Sequence, residues 1–166
     1  MLPDLLAPGL LTVFCGSAVG AVSARLGAPY AGPGNKFWPM LAETGLTPHR
    51  FAPHEWRGLL DLGIGLTDLN KTQSGSDASL SAAADDPDAL VRKIRKHGPR
   101  RMAFTAKRPA AVFISHLSGR KPIQYGLQPE RVGETEFFVL PSPSGLAVRF
   151  WAPSWWHKLA ERHRAA

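Results

Sequence analysis

Four short apolar runs divide this chain, and amphipathic stretches of helical period fill most of the space between them. Leu10 to Cys15 (Leu-Leu-Thr-Val-Phe-Cys) carries β-branched and aromatic side chains in a run of strand length. Such a run suits a strand buried on both faces, expected over residues 12–15, although periodicity alone leaves a helix open. Ile64–Leu69, Met102–Thr105 and Glu136–Leu140 read the same way. A helix is expected after Asn35, which can cap it, ending before Gly45. A second runs from about His54 to Leu62 with Trp56, Leu59 and Leu60 on one face, stopped by Gly63. Asp86-Pro87 is a strong helix start, and Gly98-Pro99 ends that helix after His97, with Leu90 and Ile94 inward. Pro109–Leu117 forms another helix, burying Ala110, Phe113, Ile114 and Leu117. A last one, capped by Ser154, turns Trp156, Leu159 and Ala160 inward. Ile123–Tyr125 and Arg131–Val132 are expected to make a ribbon, and the small polar residues 70–84 a mobile loop.

Strands alternating with helices argue for an α/β fold, a parallel sheet with helices on both faces. Ligands of such sheets bind beyond the carboxyl ends of the strands. Four segments converge there: Gly16–Gly20, Thr67–Asp68, Ala106–Lys107 and Pro141–Leu146. Gly16 and Gly20 bracket a sharp turn whose backbone N–H groups can approach a ligand or form an anion nest; an ordinary strand-to-loop turn is the alternative. Their spacing fits neither the phosphate-loop nor the dinucleotide fingerprint, so no nucleotide cofactor follows from them. At 166 residues the chain is expected to be one domain, residues 1–166.

Charge changes this picture more than bulk composition does. Residues 1–90 hold 5 Lys/Arg against 9 Asp/Glu, whereas residues 91–166 hold 15 against 4, within a net charge of +7. The skew suggests a polyanion-facing surface in the second half, or a solvated basic face. Cys15 is the single cysteine, which excludes an intrachain disulfide and a cysteine-ligated iron–sulfur or zinc site and suits a reducing cytoplasm. The opening residues lack a basic start and contain two prolines, so no signal peptide is expected, and no apolar run is long enough to span a bilayer.

Five segments, in matching order along nearly the whole chain, carry a resemblance: Leu6–Leu10; Val13-Phe14-Cys15-Gly16 with Gly20; Asn35-Lys36-Phe37-Trp38; Gly65-Leu66-Thr67; and Leu140-Pro141-Ser142-Pro143-Ser144-Gly145-Leu146. Together they resemble the mismatch-specific uracil/thymine DNA glycosylases of the uracil-DNA glycosylase superfamily. The resemblance implies a three-layer α/β/α sandwich around a four-stranded parallel sheet and no cofactor. It implies a monofunctional DNA glycosylase that removes a deaminated or mispaired base from double-stranded DNA in base excision repair. A cytoplasmic monomer with no membrane contact is expected.

The family's first motif, Gly-hydrophobic-Asn-Pro-Gly, reads here Gly16-Ser17-Ala18-Val19-Gly20, so Ala18 replaces the asparagine that holds the attacking water. By the resemblance, Gly16, Ser17, Ala18, Gly20, Tyr30, Asn35 and Ser142 would bind the substrate base. Tyr30 would stack on it, although an aromatic in a loop can also simply anchor that loop. Ser142 replaces a second-motif asparagine, while Pro143, Ser144, Gly145 and Leu146 match a loop that plugs the gap left in the duplex. Ser144, Gly145, Leu146, Arg149 and Lys107 would meet DNA. With Ala18 unable to hold water, another group must. Asp68 is the carboxylate that follows a central strand into the converging loops, and so is the candidate catalytic residue; capping the turn into Leu69-Asn70 is its alternative role. A damaged-DNA binder that has lost catalysis is the alternative function.

Overall fold

The computed structural model describes residues 1–165. Its sheet contains β1 (Thr12–Gly16), β2 (Ile64–Asp68), β3 (Arg101–Phe104), β4 (Gly126–Val132) and β5 (Thr135–Val139), in the spatial order β2-β1-β3-β5-β4. β2, β1, β3 and β5 are mutually parallel, as the apolar runs predicted. The expected four-stranded parallel sheet is therefore incomplete: β4 adds a fifth strand, antiparallel to β5. The expected ribbon is only partly there: Arg131–Val132 ends β4, Ile123–Tyr125 lies outside the sheet, and Gln128-Pro129-Glu130 obscures the rest of the strand in the sequence. Its register slips between Leu127 and Arg131, and an edge position with a bulge is where a strand tolerates proline.

β1 lies inside the sheet, between β2 and β3, and all five of its residues are buried. Phe14 faces a core shared with α2 (Phe37–Glu43), the 3₁₀ helix Pro53–Leu62 and α5 (Pro153–Ala165). Val13 and Cys15 face the opposite core, filled by α3 (Pro87–His97) and α4 (Lys107–Ser118). Period-two alternation along β1 thus separates two apolar layers. The Asp86 carboxylate accepts from Ala89 N and caps α3, with Pro87 in its first turn. Asn35 Oδ1 accepts from Phe37 N at 2.9 Å at the head of α2. α5 starts one residue before the expected cap, so Ser154 lies within its first turn.

A short helix, α1 (Ala21–Leu26), follows the glycine turn, where no helical periodicity marks it. Residues 70–84, expected to be a loose loop, are tied by hydrogen bonds. Buried Asn70 accepts from Thr72 N and Gln73 N, Gly75 N donates to Val19 O, and two 3₁₀ turns follow at Asp77–Ser79 and Ala82–Ala84. Among the described residues no helix is long and apolar enough to cross a membrane.

Candidate active site

A cavity of about 670 Å³ opens beyond the carboxyl ends of β1, β2 and β3. Its walls come from the Gly16–Gly20 turn, Tyr30, Thr67 and Asp68, Thr105, residues 75–78 and the loop 142–147. Parallel strands in register bring these segments together: Gly16 pairs with Asp68, and Cys15 pairs with both Thr67 and Phe104.

Gly16 is at the crowded floor. A Cβ there would lie 2.9 Å from Asp68 Oδ1, 3.5 Å from Thr105 Oγ1 and 3.6 Å from Tyr30 Oη. Glycine is what lets three oxygens gather at one strand end. Tyr30 Oη and Thr105 Oγ1 are 3.2 Å apart. The Tyr30 ring stacks on buried Phe37, centroids 3.9 Å apart and planes within 11°. Tyr30 also holds φ at +52°, a left-handed conformation that costs a bulky residue on the order of 1 kcal/mol or more. The packing of Phe37 and the contact with Thr105 over-determine this backbone and set the ring as one wall of the cavity.

Asp68 ends β2 with its side chain 18% exposed. Burial pushes its carboxyl up to about 6; Lys71 Nζ, 3.7 Å away, offsets part of the rise, and Asp4 adds to it. A carboxylate with such a value is ionised at neutral pH yet basic enough to take a proton. Burial likewise pushes the Tyr30 phenol and the Cys15 thiol up, so both are neutral beside it.

The other expected substrate residues, Ser17, Ala18, Gly20, Asn35 and Ser142, all line the cavity. Ala18 presents only a methyl group. Ser17 is buried, and its Oγ has no hydrogen-bond partner among the described residues. Asn35 uses Oδ1 at α2, which leaves its amide N–H groups for the cavity. Ser142 Oγ accepts from Ser144 N, and Ser144 Oγ accepts from Leu146 N, both at 3.2 Å. These two turns project Leu146, 87% exposed, at the cavity mouth. A Cβ on Gly145 would collide with the Pro33 carbonyl, so glycine lets the loops 33–34 and 143–146 pack closely; Lys36 N donates to Pro143 O at 2.8 Å.

Lys107 and Arg149 do not line the cavity. Lys107 Nζ lies over the Tyr125 ring at 4.4 Å, and the Arg149 guanidinium over Phe150 at 5.3 Å. The sequence reading missed Thr105, Lys71 and Asp4. Thr105 had a usable signal, since it ends an apolar strand as Gly16 and Asp68 do. Lys71 stands three residues after Asp68, and Asp4 becomes relevant only through contacts across more than sixty residues.

The model of the uracil DNA glycosylase superfamily matches residues 3–160, almost the entire chain. The chain belongs to the uracil DNA glycosylase superfamily. Members of this superfamily are DNA glycosylases, which hydrolyse N-glycosyl bonds. Among solved structures, the chain is similar to the solution NMR structure of a "putative uracil DNA glycosylase" from Methanosarcina acetivorans. Identity is 21%, the TM-score is 0.67, and the match covers 98% of this chain and 96% of that one. At that identity the likeness carries the superfamily fold: a mixed α/β arrangement whose five-stranded sheet is mostly parallel.

Proposed function

We propose that this protein is a monofunctional DNA glycosylase of the mismatch-specific uracil/thymine type. It works as a monomer on duplex DNA holding a deaminated or mispaired base. The observation that carries this reading is the Asp68 carboxylate, raised by burial, at the floor of a cavity walled by an aromatic ring.

A stacked base hides its glycosidic bond, so the nucleotide must rotate out at a cost of a few kcal/mol. Leu146, exposed on a loop fixed by two serine turns, fills the space left behind and offsets part of that cost. The extruded base enters the cavity against Tyr30, with the Asn35 amide and the Ser142 hydroxyl available to its polar edge. As the C1′–N bond breaks, the electron pair leaves with the base, and backbone N–H groups of the Gly16–Gly20 turn are suited to stabilise that charge. Asp68 orients water toward C1′, accepts its proton and stabilises the positive sugar. The products are the free base and an abasic site. Ala18 has no part in holding water, and Asp68 takes over that duty.

Duplexes each carrying one lesion (uracil, thymine, hypoxanthine, xanthine or an etheno base, opposite a mismatched partner) test the reading when scored for abasic sites. Uracil or thymine opposite guanine should be excised. Tight lesion binding with no excision from any duplex would replace the hydrolase with a damage-binding protein.

A further inference from the structure

Residues Leu2–Leu5 run along the outer edge of β2. Leu5 and Leu66 exchange both backbone hydrogen bonds, each 2.9 Å. This approach depends on Gly65, because a Cβ there would stand 2.5 Å from the Leu5 carbonyl oxygen. Leu2 and Pro3 thereby reach the cavity wall, and Asp4 is delivered beside Thr67. Asp4 then gathers three donors: Lys93 Nζ at 2.7 Å, Lys71 Nζ at 3.0 Å and the Thr67 hydroxyl at 2.8 Å. Lys71 also donates to the Leu2 carbonyl at 2.8 Å, so two contacts with the strap fix its ammonium. Asp68 is the next carboxylate that ammonium meets, at 3.7 Å.

A strap that only covered the sheet edge would need the Leu5 ladder and nothing more. Here a carboxylate on the strap draws two lysines, one from the loop after β2 and one from α3, to the shoulder of the cavity. We propose that Asp4 and Lys71 are positioning residues for Asp68: Asp4 anchors Lys71, and Lys71 holds the Asp68 carboxylate in place through an ion pair of 3.7 Å. This rests on the reading of Asp68 as the group that handles water.

The charged and titratable groups facing Asp68 are Lys71 from its own loop, Asp4 from the strap, Lys93 from α3, Cys15 from β1 and Tyr30 from the loop before α2. Cys15 and Tyr30 are neutral, which leaves Asp4, Lys71 and Lys93 to set the balance. The direction of each substitution follows. Asp4→Asn keeps an acceptor for Thr67 but leaves both lysines uncompensated, so Asp68 should ionise at lower pH. Lys71→Gln removes the nearest cation, so Asp68 should ionise at higher pH.

The test is to titrate the Asp68 carboxyl carbon by NMR in the full chain labelled with ¹³C-aspartate, its signal assigned by its loss in Asp68→Asn. The midpoints should move in opposite directions, each by about half a pH unit or more, as expected for loss of a charge within a few ångströms. The midpoint of the excision profile should move with them. Should either variant fail to fold, Lys93→Gln is expected to shift the midpoint upward by less. Midpoints that stay within about 0.2 unit of wild type, or that move the same way in both variants, overturn the proposal. Opposed shifts in a protein whose Asp68→Asn form excises normally would support the coupling and overturn the catalytic reading of Asp68.

Discussion

Glu136, at the N-terminal end of the parallel strands, accepts two hydrogen bonds from Arg162 at 2.8 Å and one from Arg101 at 3.1 Å; Asp68, at the opposite end, has Lys71 3.7 Å away. Both carboxylates are largely buried, with side chains 9% and 18% exposed. Arg162 and Arg101 hold Glu136 below the usual carboxylate range, whereas burial wins at Asp68 and pushes it up to about 6. The two ends differ in other respects too. Around Glu136, Arg101 also donates to Thr12 Oγ1, which lies 2.8 Å from His163 Nδ1, so each buried polar group is matched. Around Asp68 there are a strained tyrosine, an orphaned Ser17 hydroxyl and a glycine admitting no side chain. Satisfied groups stabilise a fold; under-satisfied ones keep capacity for a ligand or a proton.

Breaking the matched end should cost stability and spare chemistry. Glu136→Gln leaves the buried Arg101 without its counter-charge and is expected to lower unfolding stability by about 3–5 kcal/mol. Denaturant unfolding measures that loss, and excision per folded molecule should remain that of wild type. At the open end, Tyr30→Ala should slow excision by about 5- to 150-fold, the equivalent of one lost base–aromatic stack of 1–3 kcal/mol. Tyr30→Phe keeps the ring and should retain most activity; a folded Tyr30→Ala protein at full rate would make the residue a loop anchor only. Leu146→Ala should lower excision from duplex by about tenfold and from single strands little, since single strands need little unstacking. Equal losses on both substrates would contradict the wedge role.

A smaller effect sharpens the contrast through pH. Asp68 binds its proton more tightly in the folded state than its ordinary value of 3.8 would allow, so stability falls as pH rises from about 4 through 6. The loss amounts to about 3 kcal/mol when complete. Glu136 has the opposite sign: its contribution is present above its unfolded value of 4.5 and is lost as pH falls toward its depressed folded value. Melting temperatures of wild type and Asp68→Asn across pH 4 to 8 should therefore diverge, with the variant gaining as pH rises.

Much of this was legible in the chain and some was not, for physical reasons. β1, β2, β3 and β5 are buried on both sides, so their apolar runs mark them whatever the context. β4 is an edge strand with alternate residues in water, and Pro129 looks like a break. Gly16, Asp68 and the loop ending at Leu146 could be placed because strand ends and the loops after them have fixed places in a parallel sheet, whereas Tyr30 was placed by the family resemblance. Asp4 could not, because an acidic residue near the start of a sequence is unremarkable until Gly65 lets the strap lie against β2 and two distant lysines close on it. Lys107 was expected near the site because it follows β3, and Arg149 because the resemblance puts an arginine after the second motif; their side chains lie over the Tyr125 and Phe150 rings.

The most direct measurement is single-turnover excision from a uracil–guanine duplex above pH 7 by wild type and Asp68→Asn, with thermal unfolding of both. Activity of the wild type should rise with pH through about 6 and level off, as the carboxylate ionises. Asp68→Asn should excise at least about 10²-fold more slowly while melting no lower than wild type. An active wild type accompanied by an Asp68→Asn protein within about twofold of its rate would contradict Asp68 as the group that activates water.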